Sequence, residues 1–578
     1  MPLHQWDYLF AVGTIFAAMD AYNIGANDVA NSFATSIASK SLTMPQAVLA
    51  AAVMEFTGAV AVGARTADTV KNGIISSSAF QGDPGVQLLA FVCAITASAT
   101  WLMICTRLSW PVSTTYSIVS ALAGVGVATG GASSVQWGWN DGKGLATIFA
   151  GFIIAPAIAG GFGAVLYLIV KWGVLKRANP LPYALASGPA VFFLTSAVMT
   201  MAIIFKGSPS LGLNKLPSNI TAAAIVGTAC VVTVLSILFW LPYVYCAVVR
   251  KDYTLRWYMF FYGPALWWRK APADAGSVTA PQHIHDYRVR QEKAADSTER
   301  KVISDDGESG TNSDEKIYED PTPAPPHNSA LAKEVEKVDP HPIEGAWAEP
   351  KNLYIILRYK SIPFVKNLFM HGFNYDIHGA QAGDATTAEG RRMAAIYERA
   401  HQYPNEVEAN YSFVQVLTAC ANSFAHGAND VSNAIGPFSV IYHVWSTTEL
   451  STSKTPVPIW ILVAGGCFIV LGLATYGYNI MKVLGNKITL HSPSRGFSME
   501  LGASITVILA SQYGLPVSTT MCITGATVGV ALCNGDLKSI NWRAIGWIFL
   551  GWVLTVPIVG TLAGCMMGFI LNAPHFTN

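Results

Sequence analysis

The chain has 578 residues, of which 52% are hydrophobic and only 12% charged, and its formal net charge is +1. Soluble globular proteins carry about a quarter charged residues, so this composition excludes an ordinary soluble protein. The near-neutral charge, with no basic face, also argues against a nucleic-acid partner. We therefore expect a membrane protein.

The charged residues are concentrated in one central stretch. Residues 250–410 hold 20 of the 36 lysines and arginines and 24 of the 35 aspartates and glutamates. The flanking parts are nearly free of charge, as membrane-embedded segments are. This pattern predicts three parts: an N-terminal membrane half at 1–249, a largely disordered cytoplasmic loop at 250–410, and a C-terminal membrane half at 411–578.

Apolar windows of about 20 residues predict about twelve membrane segments. Seven precede the central loop, near 8–35, 46–64, 86–106, 112–130, 145–171, 186–205 and 221–249. Five follow it, near 412–442, 457–480, 499–513, 515–533 and 543–571. The predicted fold class is therefore an all-α polytopic membrane protein.

The distribution of positive charge predicts the orientation in the membrane. Five basic residues follow the seventh segment, at Arg250, Lys251, Arg256, Arg269 and Lys270. The central loop should therefore be cytoplasmic, and the crossings before and after it place both termini on the extracellular side. We expect a multi-pass protein of the plasma membrane, with any regulatory partners at the cytoplasmic loop.

Two sequence motifs occur twice, in the same order. Gly-Ala-Asn-Asp-Val occurs at 25–29 and again, 402 residues later, at 427–431. Pro-Val-Ser-Thr-Thr occurs at 111–115 and, 405 residues later, at 516–520. In the predicted topology, the segment with the first copy of Gly-Ala-Asn-Asp-Val starts on the extracellular side. The segment with the second copy starts on the cytoplasmic side. The chain is therefore predicted to contain two inverted-topology repeats, an arrangement that suits alternating access.

The first motif places acidic side chains inside predicted membrane segments, where a carboxylate is costly and therefore a candidate functional group. It supplies Asn27 and Asp28 in one half and Asn429 and Asp430 in the other. Glycine and asparagine loosen a helix and free carbonyl groups. Carbonyl, amide and carboxylate oxygens together suit sodium. The other interpretation is that these side chains cap broken helices.

Two further carboxylates, Glu55 and Glu500, also lie within predicted segments. They are candidate coupling or gating groups that bind the cation directly, carry a proton or pair with a polar neighbour. His426 stands where the first repeat has Ile24. It either tunes the site or makes a hydrogen-bonded contact between helices.

The Pro-Val-Ser-Thr-Thr motifs predict the tips of two re-entrant helical hairpins, because proline, serine and threonine suit the start of a helix. A helix N-terminus binds anions through its free amides and its dipole. Two tips that meet at the midplane of the bilayer would surround one tetrahedral oxyanion. Plain capping of the two helices is the alternative interpretation. The candidate ligands are Ser113, Thr114, Thr115, Ser518, Thr519 and Thr520.

The motifs at 25–31 and 424–437, with the paired Pro-Val-Ser-Thr-Thr sequences, closely resemble the inorganic phosphate transporter (PiT) family. The long central loop and the sequence at 496–520 look most like the fungal and animal branch of that family. The resemblance implies phosphate symport, coupled to sodium in fungal and animal members and to protons in others. It also implies an inverted-repeat fold with two hairpins whose tips bind phosphate. It assigns the six serines and threonines to phosphate, the two Asn-Asp pairs to sodium, and Glu55 and Glu500 to transport. The match between the halves is incomplete, since Ile95 stands at the position that corresponds to Glu500.

Two alternatives remain open: proton coupling through the same carboxylates, and a phosphate-sensing receptor with little transport. An enzyme is not expected, since the sequence shows no nucleophile–base pair, metal-ligand cluster or nucleotide loop. The expected partners are phosphate, sodium ions as co-substrate and the lipid bilayer, with no cofactor. A homodimer is also left open, because glycine-rich faces permit tight helix packing. These faces contain Gly124, Gly126, Gly160, Gly161 and Gly163.

Overall fold

The computed structural model is built from helices. It describes residues 4–72, 74–139, 144–206, 216–277, 284–288, 343, 345–364, 366, 387–452, 455–512 and 517–573. In these parts extended pairing is limited to one isolated bridge between Ile75 and Val135. The α-helices are α1 (Asp7–Ile24), α2 (Ala30–Ala38), α3 (Met44–Asn72), α4 (Pro84–Arg107), α5 (Thr114–Gly130), α6 (Leu145–Val170), α7 (Pro180–Lys206), α8 (Ser218–Leu235), α9 (Leu241–Val248), α10 (Pro350–Ile355), α11 (Ala388–Glu398), α12 (Asn405–Thr447), α13 (Ile459–Tyr476), α14 (Tyr478–Asn486), α15 (Pro493–Gln512), α16 (Thr519–Leu532) and α17 (Trp542–Asn572).

The chain divides into two compact units. Residues 290–369 form the smaller unit, whose described part contains α10 and a π-helix over Ile356–Ser361. Residues 1–289 and 370–578 form the larger unit, which contains all the other helices. The polar stretches of the predicted loop at 289–342 and 367–386 lie outside the described residues.

Within the described residues, eight helical stretches are long and apolar enough to cross a membrane. They are His4–Ala38, Met44–Gly63, Pro84–Arg107, Leu145–Leu175, Pro180–Ile204, Ser218–Val248, Ile459–Tyr476 and Trp542–Asn572. Many of their outward side chains are exposed Ile, Leu, Val and Phe, as expected of helices that contact lipid. The structure thus agrees with an all-α protein that has several membrane-spanning helices. The total of about twelve membrane segments stays a prediction.

Helices from the two halves of the chain interleave. α3 packs along α12, whereas α13 packs along α1 and the π-helix that follows it. In the same manner α5 packs on α17, and α16 packs on α6. Each helix that carries or follows a repeated motif therefore packs on a helix from the opposite half. The main hydrophobic core accordingly contains side chains from both halves.

Glycines allow these helix backbones to touch. A Cβ atom at Gly124 of α5 would lie 1.9 Å from the carbonyl oxygen of Gly560 in α17. One at Gly529 of α16 would lie 2.2 Å from the carbonyl oxygen of Gly160 in α6. Gly161 differs, because a Cβ there would meet no atom within 4 Å. Of the glycines noted in the sequence, Gly124, Gly126, Gly160 and Gly163 therefore take part in close packing within the chain.

Substituting Gly124 by alanine tests this packing. The added methyl group would overlap the Gly560 carbonyl, so we expect the folded protein to lose about 1–3 kcal/mol of stability. Thermal unfolding of the detergent-purified protein, followed by size-exclusion chromatography, measures the loss as a lower melting temperature. Gly161→Ala is the matched control and should melt at or slightly above the temperature of the parent, because its added methyl group meets no atom and alanine favours a helix. Equal losses in the two variants would contradict the close contact at Gly124.

Candidate functional site

The two copies of the first motif have different backbone conformations. The first forms a π-helix over Gly25–Val29, between α1 and α2, whereas the second lies within the continuous helix α12. Both copies touch a helix of the opposite half at their glycine. A Cβ atom at Gly25 would lie 1.8 Å from the Ile469 carbonyl oxygen, and one at Gly427 would lie 2.4 Å from that of Glu55. Both motifs are therefore held close against a helix from the other half.

The motif aspartates, Asp28 and Asp430, are fully buried and accept hydrogen bonds from threonines of both halves. The hydroxyl-to-carboxylate distances are 2.5 Å for Thr114–Asp28, 2.5 Å for Thr520–Asp28, 2.6 Å for Thr519–Asp430 and 3.2 Å for Thr115–Asp430. Each aspartate thus bonds one threonine of its own half and one of the opposite half. The structure brings the predicted cation ligands and the predicted anion ligands into one hydrogen-bonded cluster.

The motif asparagines hold the segments that lead into the threonines. The side-chain oxygen of Asn27 accepts a hydrogen bond from the Val112 amide at 3.1 Å. The side-chain nitrogen of Asn429 donates to the Val517 carbonyl at 3.2 Å and to the neighbouring Asp430 at 3.0 Å. These bonds fix the start of each threonine segment relative to the aspartate that follows the asparagine.

The serines of the second motif, Ser113 and Ser518, begin α5 and α16. The Ser113 hydroxyl accepts a hydrogen bond from the Tyr116 amide at 3.3 Å, and the Ser518 hydroxyl accepts one from the Met521 amide at 3.4 Å. Both serines are therefore N-cap residues. Capping does not exclude anion binding, because a single cap satisfies only one of the free amides at a helix start.

His426 lies between two buried carboxylates. Its Nδ1 lies 2.8 Å from Oε2 of Glu55, and its Nε2 lies 3.1 Å from Oδ2 of Asp430 without the alignment of a hydrogen bond. Ser423 donates to the other Glu55 oxygen at 2.7 Å. Ligand atoms of Asp28, His426 and Asp430 lie within 4.8 Å of one another, so these residues are close enough to hold one metal ion. A cation here, either a protonated imidazole or a metal ion, would offset the repulsion between the buried carboxylates.

Glu500 lies in a separate polar cluster and is fully buried. One carboxylate oxygen accepts hydrogen bonds from Thr35 at 2.5 Å, Ser36 at 2.6 Å and Gln415 at 3.1 Å. The other accepts a hydrogen bond from Thr418 at 2.6 Å. The donors belong to α2 and α12, so this carboxylate connects the two halves at a second place. None of them belongs to the duplicated pentapeptide motifs.

The family model described as the phosphate transporter family matches residues 24–563. The chain belongs to this family. It is 41% identical to the phosphate-repressible phosphate permease pho-4 of Neurospora crassa, over 100% of this chain and 99% of that protein. It is 29% identical to the sodium-dependent phosphate transporter 1-A of Danio rerio, over 97% of this chain and 94% of that protein. A solved structure of "the sodium-dependent phosphate transporter" shares the fold, with a TM-score of 0.63 at 23% identity, over 98% of this chain and 100% of that one.

Two asparagines of this phosphate transporter family member also enter the site, although the sequence interpretation did not single them out. Asn31 donates to the Thr520 hydroxyl oxygen at 2.7 Å, and Asn433 donates to the Thr115 hydroxyl oxygen at 3.1 Å. Each asparagine therefore reaches the threonine segment of the opposite half. The signal was present in the sequence, because positions 31 and 433 are separated by the same 402 residues as the motifs.

Further polar side chains lie on α2 and α12 between the aspartates and Glu500, and others connect Glu500 with a cavity. Asn422 donates to Ser32 at 3.1 Å, in the part of α2 that lies between the first motif and the Glu500 cluster. Beyond Glu500, the side-chain oxygen of Gln415 accepts a hydrogen bond from Ser41 at 2.7 Å. Ser41 in turn lines a cavity of about 470 Å³. We call this set of side chains the polar tract; it consists of Ser32, Asn422, Glu500, Gln415 and Ser41.

The residues of the Glu500 cluster correspond to apolar residues in the opposite half of the chain. By the same offsets of 402 and 405 residues, the counterparts of Thr35, Ser36, Gln415, Thr418 and Glu500 are Pro437, Phe438, Gly13, Phe16 and Ile95, respectively. Ile95 and Phe438 belong to the main hydrophobic core, and Phe16 packs against it. The Glu500 cluster therefore has no polar counterpart at these five positions, whereas Asn422 of the polar tract corresponds to the buried Asp20.

Replacing Thr418 by valine removes one donor to Glu500 while nearly preserving side-chain volume. Among the described residues, Thr418 is the donor to that carboxylate oxygen, so the variant should lose about 1–3 kcal/mol of stability. A thermal melt of the purified protein measures this loss. Thr527→Val is the control, because the buried Thr527 hydroxyl bonds the Ile523 carbonyl of its own helix. If both variants melted at the same temperature, the hydrogen bond to Glu500 would contribute no more to stability than an ordinary bond within a helix.

Proposed function

We propose that the protein is a secondary active symporter that imports inorganic phosphate with sodium, by alternating access around a site near the membrane midplane. Family membership gives the transporter class, which agrees with the expectation that the protein is not an enzyme. Relatives named as sodium-dependent phosphate transporters support sodium as the coupling ion. The observation that carries the proposal is the bonding of Asp28 and Asp430 to threonines of both halves.

The proposed phosphate site lies between the starts of α5 and α16. Its ligands are Ser113, Thr114, Thr115, Ser518, Thr519 and Thr520, all of which are buried. Free amides and the positive end of the dipole at a helix start favour an anion. Because these ligands include no lysine or arginine, the charge of phosphate has to be balanced by co-bound cations.

The proposed sodium ligands are Asp28 and Asp430, with Asn27 and Asn429 beside them. In the described structure the threonine hydroxyls donate their protons to the two aspartates. A hydroxyl has one proton and two lone pairs. When sodium neutralises the aspartates, each hydroxyl is able to turn its proton toward phosphate and a lone pair toward the cation. Sodium and phosphate then favour the binding of each other, which is the basis of coupled transport.

We propose that the two halves are inverted-topology repeats and that α5 and α16 are arms of re-entrant hairpins. α5 has 17 residues and α16 has 14. At about 1.5 Å per residue they are about 26 Å and about 21 Å long. Each is shorter than the roughly 30 Å hydrocarbon core, and each begins at a buried serine. In this arrangement the central loop is cytoplasmic and both termini are extracellular, at the plasma membrane.

We assign Glu55 and Glu500 to coupling or gating. The polar tract through Glu500 offers ions and phosphate a route between the aspartates and the cavity at Ser41. The apolar counterparts in the other repeat, such as Ile95, would close the opposite route. We infer that, in the described conformation, the site is open toward the side of the membrane on which the central loop lies.

Proton coupling is the second candidate, and His426 is the observation that favours it. Its ring nitrogens lie 2.8 Å from Glu55 and 3.1 Å from Asp430, so an added proton would be held between two carboxylates. A proton at this place would neutralise the aspartates instead of a sodium ion.

Uptake of radiolabelled phosphate into liposomes that contain the purified protein distinguishes these candidates. We expect uptake under an inward sodium gradient and none when choline replaces sodium, because sodium neutralises the two aspartates. Thr520→Val should reduce the initial rate about tenfold or more, since it removes a hydroxyl bonded to Asp28 at 2.5 Å. Thr524→Val is the control, because the Thr524 hydroxyl bonds the Thr520 carbonyl of the same helix.

The other outcomes of the uptake experiment are equally informative. Uptake driven by an inward proton gradient alone would establish the second candidate. Protein that binds phosphate but shows no uptake under either gradient would be a phosphate sensor, and transport would be wrong. If Thr520→Val took up phosphate as fast as the parent, Thr520 would not be a ligand in the transport site.

A further inference from the structure

An unusually aromatic segment follows α9, away from the transport site. It is a 3₁₀-helical stretch over Trp257–Trp268, interrupted at Gly263, which we call the aromatic platform. Among its exposed rings are Trp257 and Trp268, with 77% and 79% of their surface accessible, and Phe261, with 69%. Exposed aromatic surface of this extent indicates contact with a partner or with lipid.

The aromatic platform is held in place by side chains at the end of the preceding span. Arg250 donates to the Leu266 carbonyl at 3.3 Å and to the Trp267 carbonyl at 2.9 Å, and it also bonds the Arg269 carbonyl. Arg269 pairs with the buried Asp252 at 2.7 Å. The exposed rings are therefore presented by an ordered element, and these two arginines serve to anchor it.

The aromatic platform folds back along the candidate membrane span Ser218–Val248. The Phe260 ring lies 6.2 Å from the Phe239 ring and 5.9 Å from the Tyr243 ring. Phe239 is nine residues from the end of this span, which corresponds to about 13 Å at about 1.5 Å per residue. Most side chains of this apolar span are at least partly exposed on the described chain, as expected of a span that contacts lipid. The platform therefore lies at the depth of the headgroups and the upper acyl chains.

Exposed basic residues lie next to the rings, at Lys251, Arg256 and Lys270. None of the three pairs with a carboxylate within the part of the chain that the structure describes. Aromatic rings at the membrane interface together with neighbouring Lys and Arg are typical of segments that bind anionic headgroups. Zwitterionic lipid would accommodate the rings but would leave this positive charge unmatched.

We propose that the aromatic platform, with Lys251, Arg256 and Lys270, is a binding surface for anionic phospholipid in the leaflet on the side of the central loop. The rings enter the boundary between headgroups and acyl chains, and the basic side chains contact the lipid phosphate and carboxylate groups. This surface is independent of which ion drives transport.

Lipid retained by the full-length protein tests the charge component. The protein is reconstituted in vesicles of phosphatidylcholine and phosphatidylserine, extracted again, and its retained lipid is quantified by mass spectrometry. We expect phosphatidylserine to be enriched, and Arg256→Gln/Lys270→Gln to lower the enrichment about fivefold for each charge removed at low salt. Arg392→Gln removes a positive charge from an exposed position on the polar helix α11, which has no exposed aromatic ring, and should keep the enrichment. Equal enrichment in the parent and the platform variant would overturn the proposal.

Photocrosslinking tests the position of the rings. A phosphatidylcholine probe with a photoreactive group near the top of its acyl chain is added to the same vesicles, and the labelled peptides are mapped. We expect label on the peptide that contains Trp257–Trp268. Label on Ser218–Leu235 but none on the platform would place the platform outside the bilayer and overturn the proposal. Neither readout depends on phosphate uptake.

Discussion

The hydrogen bonds of two buried carboxylates, Asp28 and Asp430, are the interactions on which the rest of the site depends. A carboxylate in a medium of low dielectric constant is strongly destabilised unless it is hydrogen-bonded or neutralised. Here threonines at two helix starts, one from each half, supply the hydrogen bonds. A movement that separates the halves has to break some of these bonds, and a bound cation is able to replace them. In the proposed mechanism, the same groups therefore connect ion binding with conformational change.

The interleaved packing places these groups within reach of one another. The backbones at Gly25 and Gly427 approach the helices of the opposite half so closely that a methyl group would overlap a carbonyl oxygen. These contacts position both motifs with little freedom, so the aspartates face threonines that lie up to 492 residues away in the chain. Precise placement of this kind is required when one site has to bind two ions of opposite charge.

The parts of the site that depend on local sequence could be predicted. Ser113 and Ser518 begin helices because Pro-Val-Ser-Thr-Thr favours a helix start wherever it stands. The pairing of Asp28 with Thr520 could not be predicted, because it depends on how helices of opposite halves pack. The π-helix was also beyond prediction, since the same five residues form a π-helix at 25–29 and a continuous α-helix at 427–431.

Two further features could not be predicted for the same reason, because they also depend on tertiary structure. The four donors to Glu500 lie between 82 and 465 residues away along the chain, so no local pattern marks them. The aromatic platform lies beyond the last predicted segment of the first half, and in the sequence it resembles an apolar start to a polar loop. Only its contact with Phe239 shows that it returns along the span.

Equilibrium binding of radiolabelled phosphate to the purified protein, at a series of sodium concentrations, tests most directly the link between the aspartates and the threonines. We predict that phosphate affinity rises with sodium and that phosphate raises sodium affinity by the same factor, because binding linkage is reciprocal. Choline at equal ionic strength should have no effect. A phosphate affinity that does not change with sodium would contradict the proposal that the two ligands share one hydrogen-bonded cluster.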